Sequence, residues 1–226
     1  MKITKELLKE KGACVDGYRD FLREYPVDKY PDGVEYQELL DCCAEKNFSY
    51  GSWLLGAFGK TDEVRKIGGD LIAEKGIIFA GRLEVKGCIK AGWGIKAGNG
   101  IKAGRGIKAG WGIEAGWGIE AGNGIESGYG IEAGLGIEAG EGIEAGWGIE
   151  AGYGIEAGNG IEAGNGIKAG YGIEAGDGIK AGDEYGIYAG LRCRITNKTL
   201  RKIIAKKRPE NIMCGEFEEK SDSEGK

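Results

Sequence analysis

Nine glutamates, Glu114, Glu120, Glu126, Glu132, Glu138, Glu144, Glu150, Glu156 and Glu162, recur at six-residue intervals, with no lysine or arginine between the first and the last. Paired carboxylates perform general acid–base chemistry when their surroundings separate their pKa values. Here each glutamate sits in the same local sequence, so nothing along the chain distinguishes an acid from a base, and no catalytic residue is assigned. Metal chemistry has no ligands of the usual kind: the chain has no histidine, and Cys14, Cys42, Cys43, Cys88, Cys193 and Cys214 form no CxxC pair. No cofactor or metal is expected, and the cysteines read as reduced, partly buried thiols. The many Gly-x-Gly pairs are not phosphate loops, because no Gly-Lys-Ser/Thr follows them. An ice-binding face needs a threonine ladder, and the repeats contain none.

What positions the glutamates is one unit, Gly-Ile-(Glu/Lys)-Ala-Gly-x, in which isoleucine returns every six residues from Ile89 to Ile179, sixteen times. The frame extends back through Leu71, Ile77 and Leu83 and slips only at Asp183-Glu184-Tyr185, where two residues are added before Ile187. A short fixed period of this kind means a solenoid. Collagen is excluded, since it needs glycine at every third residue and abundant proline, whereas this chain has 46 glycines at alternating spacings and 3 prolines. In an extended hexad, Ile and the Ala two residues later point to one side and the intervening Glu or Lys to the other. Three hexads close a triangular coil of about eighteen residues, and coils stack about 4.8 Å apart through parallel ladders. The expected fold is therefore an all-β, single-stranded parallel β-helix, its handedness left open by the hexad.

The variable position tests the coil length. At a period of eighteen it sorts into three columns: Trp93, Trp111, Tyr129, Trp147 and Asn165; Asn99, Trp117, Leu135, Tyr153 and Tyr171; Arg105, Asn123, Glu141, Asn159 and Asp177. Only the third is wholly polar. Because the same position holds Arg105, Glu141 and Asp177, which an Ile/Ala core could not bury cheaply, it faces outward or lies at a corner. Trp93, Trp111, Tyr129 and Trp147 then form one exposed ridge and Trp117, Leu135, Tyr153 and Tyr171 a second. Contiguous apolar surface of this kind marks an interface, or else the rings only stabilise neighbouring coils.

The other outward position changes sign along the axis, from Lys90, Lys96, Lys102 and Lys108 to the nine glutamates and then to Lys168, Glu174 and Lys180. Like charges one coil apart repel, so the acidic run gives up stability for another gain. That gain is solubility and protection against edge-to-edge aggregation, or imitation of nucleic-acid phosphates before a basic groove. Direct nucleic-acid binding is disfavoured by the net charge of −5. The expected partner is a protein, engaged through both ridges and the nine glutamates. A carbohydrate, a scaffold role and a homodimer paired through the apolar stripe are alternatives.

Four segments follow from these patterns. Residues 1–66 read as a helical cap, with helices opening at Ile3 and spanning Tyr18–Tyr25, Tyr36–Glu45 and Tyr50–Phe58. Residues 67–195 read as the β-helix, 196–217 as capping strands that cover the open end, and 218–226 as a charged, disordered tail. No stretch is apolar enough to span a membrane, and the first residues lack the apolar run of a secretory signal, so a cytoplasmic protein is expected.

At the level of the hexad the chain resembles hexapeptide-repeat β-helix proteins, sharing the Ile-acidic pair. Acyltransferases of that kind imply a small residue where this chain has Trp, Tyr, Asn or Arg, and a histidine base that it lacks. Bactofilins are similar in coil size, but their open ends contrast with a chain that reads as capped. Leu7-Leu8, Ala13-Cys14, Phe21, Tyr25 and Pro26 resemble helical leader domains of uncharacterised phage and bacterial proteins. That resemblance implies a phage or mobile-element setting rather than an activity; joined to the acidic and aromatic surface, the expectation is an inhibitor of a host defence or nucleic-acid-processing protein.

Overall fold

In the computed structural model, residues 1–182, 185–192 and 198–221 are described. The Asp183-Glu184 insertion, Cys193 and the alternating run expected at Arg192–Ile195 lie partly or wholly outside them, as do residues 222–226. Four helices open the chain, α1 (Lys5–Glu10), α2 (Val15–Glu24), α3 (Tyr36–Lys46) and α4 (Phe48–Phe58), with a short antiparallel pair, Lys2–Ile3 with Val34–Glu35, beside them. Capping sets the boundaries. Thr4 accepts from Leu7 N–H and starts α1 two residues later than Ile3, which is drawn into the strand. Asn47 caps α4 by accepting from Tyr50 N–H.

A parallel β-solenoid follows, with each strand of Ile-x-Ala pairing with the strand eighteen residues on, as in Ile113↔Ile131, Glu114↔Glu132 and Ala115↔Ala133. Among the described residues it has three faces. The first runs through seven strands from Leu71–Ala73 to Ile179–Ala181, the second through eight from Ile77–Phe79 to Ile212–Cys214, and the third through nine from Val64–Ile67 to Glu216–Glu219. From Ile89 to Ala181 the isoleucines and alanines fill the interior, each buried, and each isoleucine so placed contributes about 1.5–3 kcal/mol of apolar transfer. Ser127 takes one alanine position, and its hydroxyl is satisfied by the Trp111 carbonyl at 2.5 Å.

The corner glycines fall into two kinds. From Gly92 to Gly182, at the glycine after each inward Ala or Ser, a Cβ would lie about 2 Å from a carbonyl oxygen of the preceding coil, for example 2.1 Å at Gly128 against Gly110 O. From Gly100 to Gly160 the glycine before each isoleucine has more room, with Gly130 meeting Gly148 O only at 3.3 Å. Between Gly92 and Gly182 neither kind has positive φ, whereas Gly186 and Gly190 beyond the slip do, so in the regular coils close approach of backbones, not left-handed conformation, demands the first.

Both ends differ from the sequence expectation in detail. The first solenoid strand is Val64–Ile67, paired with Arg82–Val85, so the stack begins inside the segment read as cap. At the other end Lys202–Ala205 stacks on Ile173–Glu174, and Glu216–Glu219 stacks on Lys202–Ala205 in parallel. The last strand thus carries order past Glu218, held by the Lys202–Glu218 ion pair and by Lys220 on Glu174 at 3.0 Å.

The helices cover the exposed edge of the second face. The side-chain amide of Gln37 donates to Ile78 O at 2.8 Å and accepts from Ala80 N–H at 3.0 Å, completing the ladder as one peptide unit of a missing strand would. Ala44 O accepts from Gly76 N–H beside it. Ile78 occupies the outward position that elsewhere holds Lys or Glu, and at 1% exposure it is part of the helical core. Among the described residues no helix is long and apolar enough to cross a membrane.

Candidate functional site

The variable residues stand at the corners, and the corners decide which face they serve. Trp93, Trp111, Tyr129 and Trp147 lie between the first and second faces, and Trp117, Leu135, Tyr153 and Tyr171 between the second and third. Both corners border the second face, but the grooves divide the ridges: Trp111 and Trp147 wall the groove over the second face, and Trp117, Leu135 and Tyr171 wall the one over the third. Trp111, Trp117, Tyr129, Leu135, Trp147 and Tyr153 are exposed, Trp147 most of all at 58%. Trp93 departs from the expected exposed ridge: its ring is half-buried, stacked on Trp111 at 5.2 Å and 5°, with the Lys75 ammonium 5.3 Å from its centroid. Tyr171 departs likewise, half-buried and stacked on Tyr153 at 5.1 Å, whereas Tyr129 and Trp147 are tilted by 57°. The stacked pairs do stabilise neighbouring coils. Stacking also occupies ring faces, which weighs against sugar binding at those pairs.

Between the ridges, the outward row of the second face reads Lys96, Glu114, Glu132, Glu150, Lys168. The first face carries Lys108, Glu126, Glu144, Glu162 and Lys180, and the third carries Lys102, Glu120, Glu138, Glu156 and Glu174. Three glutamates per coil rising about 4.8 Å place one carboxylate on each ~1.6 Å of axis, against one charge per ~1.7 Å in duplex DNA. Lysines shorten that array from both ends. Lys96 pairs with Glu114 at 2.6 Å, Lys108 with Glu126 and Lys180 with Glu162 at 2.5 Å each, and Lys102 with Glu120. Glu132, Glu138, Glu144, Glu150 and Glu156 are left without a cation partner among the described residues. Partial desolvation, then Glu114 and Glu150 on either side, push the Glu132 carboxyl above the ordinary carboxylate range.

The repeat pattern did not disclose three further residues. Lys75 belongs to the first column one coil before Trp93, so sorting from Leu71 would have found it. Lys60, whose ammonium lies 5.1 Å from the Trp117 centroid, and Phe48, in T-shaped contact with Trp111 at 6.3 Å, come from outside the repeat and leave no periodic signal. Asn99, heading the second ridge, is 2% exposed and donates to Thr61 O at 2.7 Å.

A cavity of about 390 Å³ in the helical segment is lined in part by Phe21, Tyr25, Leu39, Cys42 and Cys43. Burial pushes the Cys43 thiol up to about 12, so it is not a ready nucleophile. Among the described residues no group of three His, Cys, Asp or Glu side chains is arranged to hold a metal.

The fold and face together define a capped parallel β-solenoid with coils of eighteen residues. No protein-family model, curated protein or solved structure matches the chain.

Proposed function

We propose that the chain is a non-catalytic binding protein that presents its second face to a protein partner. The observation that carries this reading is the groove over the second face, walled by the exposed rings of Trp111 and Trp147 and by an outward row that is acidic at its centre. Apolar edges supply the area that associates, and a charge row of fixed order supplies the choice of partner. The sharper form is an inhibitor of a host defence or nucleic-acid-processing protein in a phage-infected cell. Its support is a gross carboxylate density near that of duplex DNA, which suits a basic groove.

The test is capture from bacterial lysate on the immobilised protein, beside Trp147→Ala/Tyr153→Ala, which removes two exposed rings, and Glu132→Gln/Glu150→Gln. A protein retained by the wild type and lost from both variants is the expected result. If oligosaccharides alone are retained, or the protein elutes only as self-assembled species that both variants preserve, the binding reading gives way to a sugar-binding rod or a scaffold.

A further inference from the structure

A groove of about 560 Å³ runs along the second face beside the first ridge. Its floor is the row Gly112, Gly130, Gly148 and Gly166, and its walls are Trp111 with Trp147 and the glutamate row. The molecule's own side chains occupy its head. Phe48, the first residue of α4, rests on the glycine floor, since a Cβ added at Gly94 would lie 2.7 Å from its ring. Lysines complete the pattern: Lys75 over Trp93, Lys60 over Trp117 and Lys96 on Glu114. Two coils further on, the same floor and walls recur at Gly130, Gly148, Trp147, Glu132 and Glu150, with both carboxylates unpaired among the described residues.

We propose that this part of the groove docks a basic amphipathic helix of a partner protein, lying along the rod. Its apolar side chains rest on Gly130 and Gly148, and its lysines or arginines meet Glu132 and Glu150. The inference rests on the binding reading above and adds the partner's chemistry.

Charge complementarity selects the occupant. The row Lys96, Glu114, Glu132, Glu150, Lys168 reads the same in both directions. A second copy laid across it about a two-fold axis, parallel or antiparallel, sets like charge against like, which is destabilising. A basic partner meets the acidic centre with opposite sign. Spacing then selects the helix. Same-face side chains recur about every 5.4 Å on a helix and about every 6.6 Å on a strand. Against coils about 4.8 Å apart, two steps accumulate about 1 Å of mismatch for the helix and about 4 Å for the strand. A flexible glutamate absorbs the first and not the second.

The experiment is a tryptophan-fluorescence titration of the full chain with three synthetic helical peptides of about fourteen residues, long enough for some 20 Å of axis. One carries lysines and phenylalanines on a single face, one has the same composition scattered around the helix, and one replaces lysine by glutamine. A linear neutral oligosaccharide is titrated in parallel. The first peptide is expected to bind at least tenfold tighter than the scattered one, with affinity falling as salt is added. Glu132→Gln/Glu150→Gln should weaken it about tenfold. Gly130→Ala, which raises the floor, should weaken it too, while Glu144→Gln on the first face should not. Equal affinity for the first two peptides, no effect of Glu132→Gln/Glu150→Gln, or no peptide binding at all overturns the proposal. If the glutamine peptide binds as tightly and Trp147→Ala abolishes it, the basic-helix inference falls while the protein-binding reading stands. Binding of the oligosaccharide alone removes both.

Discussion

Replacing Gly128 by alanine sets a Cβ 2.1 Å from Gly110 O and 3.1 Å from Gly110 C, whereas the same change at Gly130, two residues away, meets only Gly148 O at 3.3 Å. The first contact is with backbone of the adjoining coil, so relief requires the coils to part locally by about an ångström, an overpacking cost of about 1–3 kcal/mol. Parting them stretches Gly128 N–H to Ala109 O, now 3.1 Å, and Tyr129 N–H to Trp111 O, now 3.2 Å. Each of those bonds contributes about 0.5–1.5 kcal/mol net. Gly128→Ala should therefore cost about 4 kcal/mol, a fall in Tm of roughly 8–16 °C for a chain of this size. Gly130→Ala asks its neighbour for a few tenths of an ångström and gains about 0.4–1 kcal/mol from a less flexible unfolded chain. Its Tm should stay within about 3 °C of the parent. Thermal and urea unfolding followed by circular dichroism measure both. Equal losses at the two sites, or a tolerated Gly128→Ala, would refute the argument that inter-coil backbone contact selects glycine after each alanine.

The outward hexad position makes a second paired test. Ile72→Lys, at a side chain 66% exposed, should leave stability unchanged within about 0.5 kcal/mol, while Ile78→Lys, at 1% exposed beneath α3 and α4, should cost more than about 3 kcal/mol. Gln37→Ala leaves the Ile78 carbonyl and Ala80 amide of a strand edge without their partner. It should cost about 2 kcal/mol in urea unfolding and speed hydrogen exchange at Ala80. Glu132 supplies a pH dependence. Its folded-state pKa is raised above the ordinary 4.5, so its charge destabilises the fold above the raised value, and the penalty disappears as pH falls through that value to 4.5. Glu132→Gln should accordingly raise Tm at pH 7 and lose that advantage below pH 4.5; a variant less stable than the parent at pH 7 would contradict the sign.

The period, the coil of eighteen residues and the inward or outward direction of every hexad residue were legible because repetition makes them local. Alternation along an extended segment is covalent geometry, and a column that returns every eighteen residues needs no knowledge of distant contacts. The columns beginning at Trp93 and Asn99 are thus visible in the order of residues alone. Ile78 was not legible in that way, for its period says outward and only the packing of α3 and α4 buries it. The same holds for Gln37 on the strand edge, for Phe48 at the head of the groove and for Lys60 over Trp117, each a contact between an aperiodic residue and a coil many residues away. The two kinds of glycine hold different places in the hexad, but which of them a neighbouring carbonyl crowds is decided only by the stacking. By itself, then, the sequence determined the coil, its core and its order of charges. The tertiary structure decided where the coil begins and ends, which glutamates remain unpaired and which face is left open, because those depend on what the helices and the neighbouring coils bring into contact.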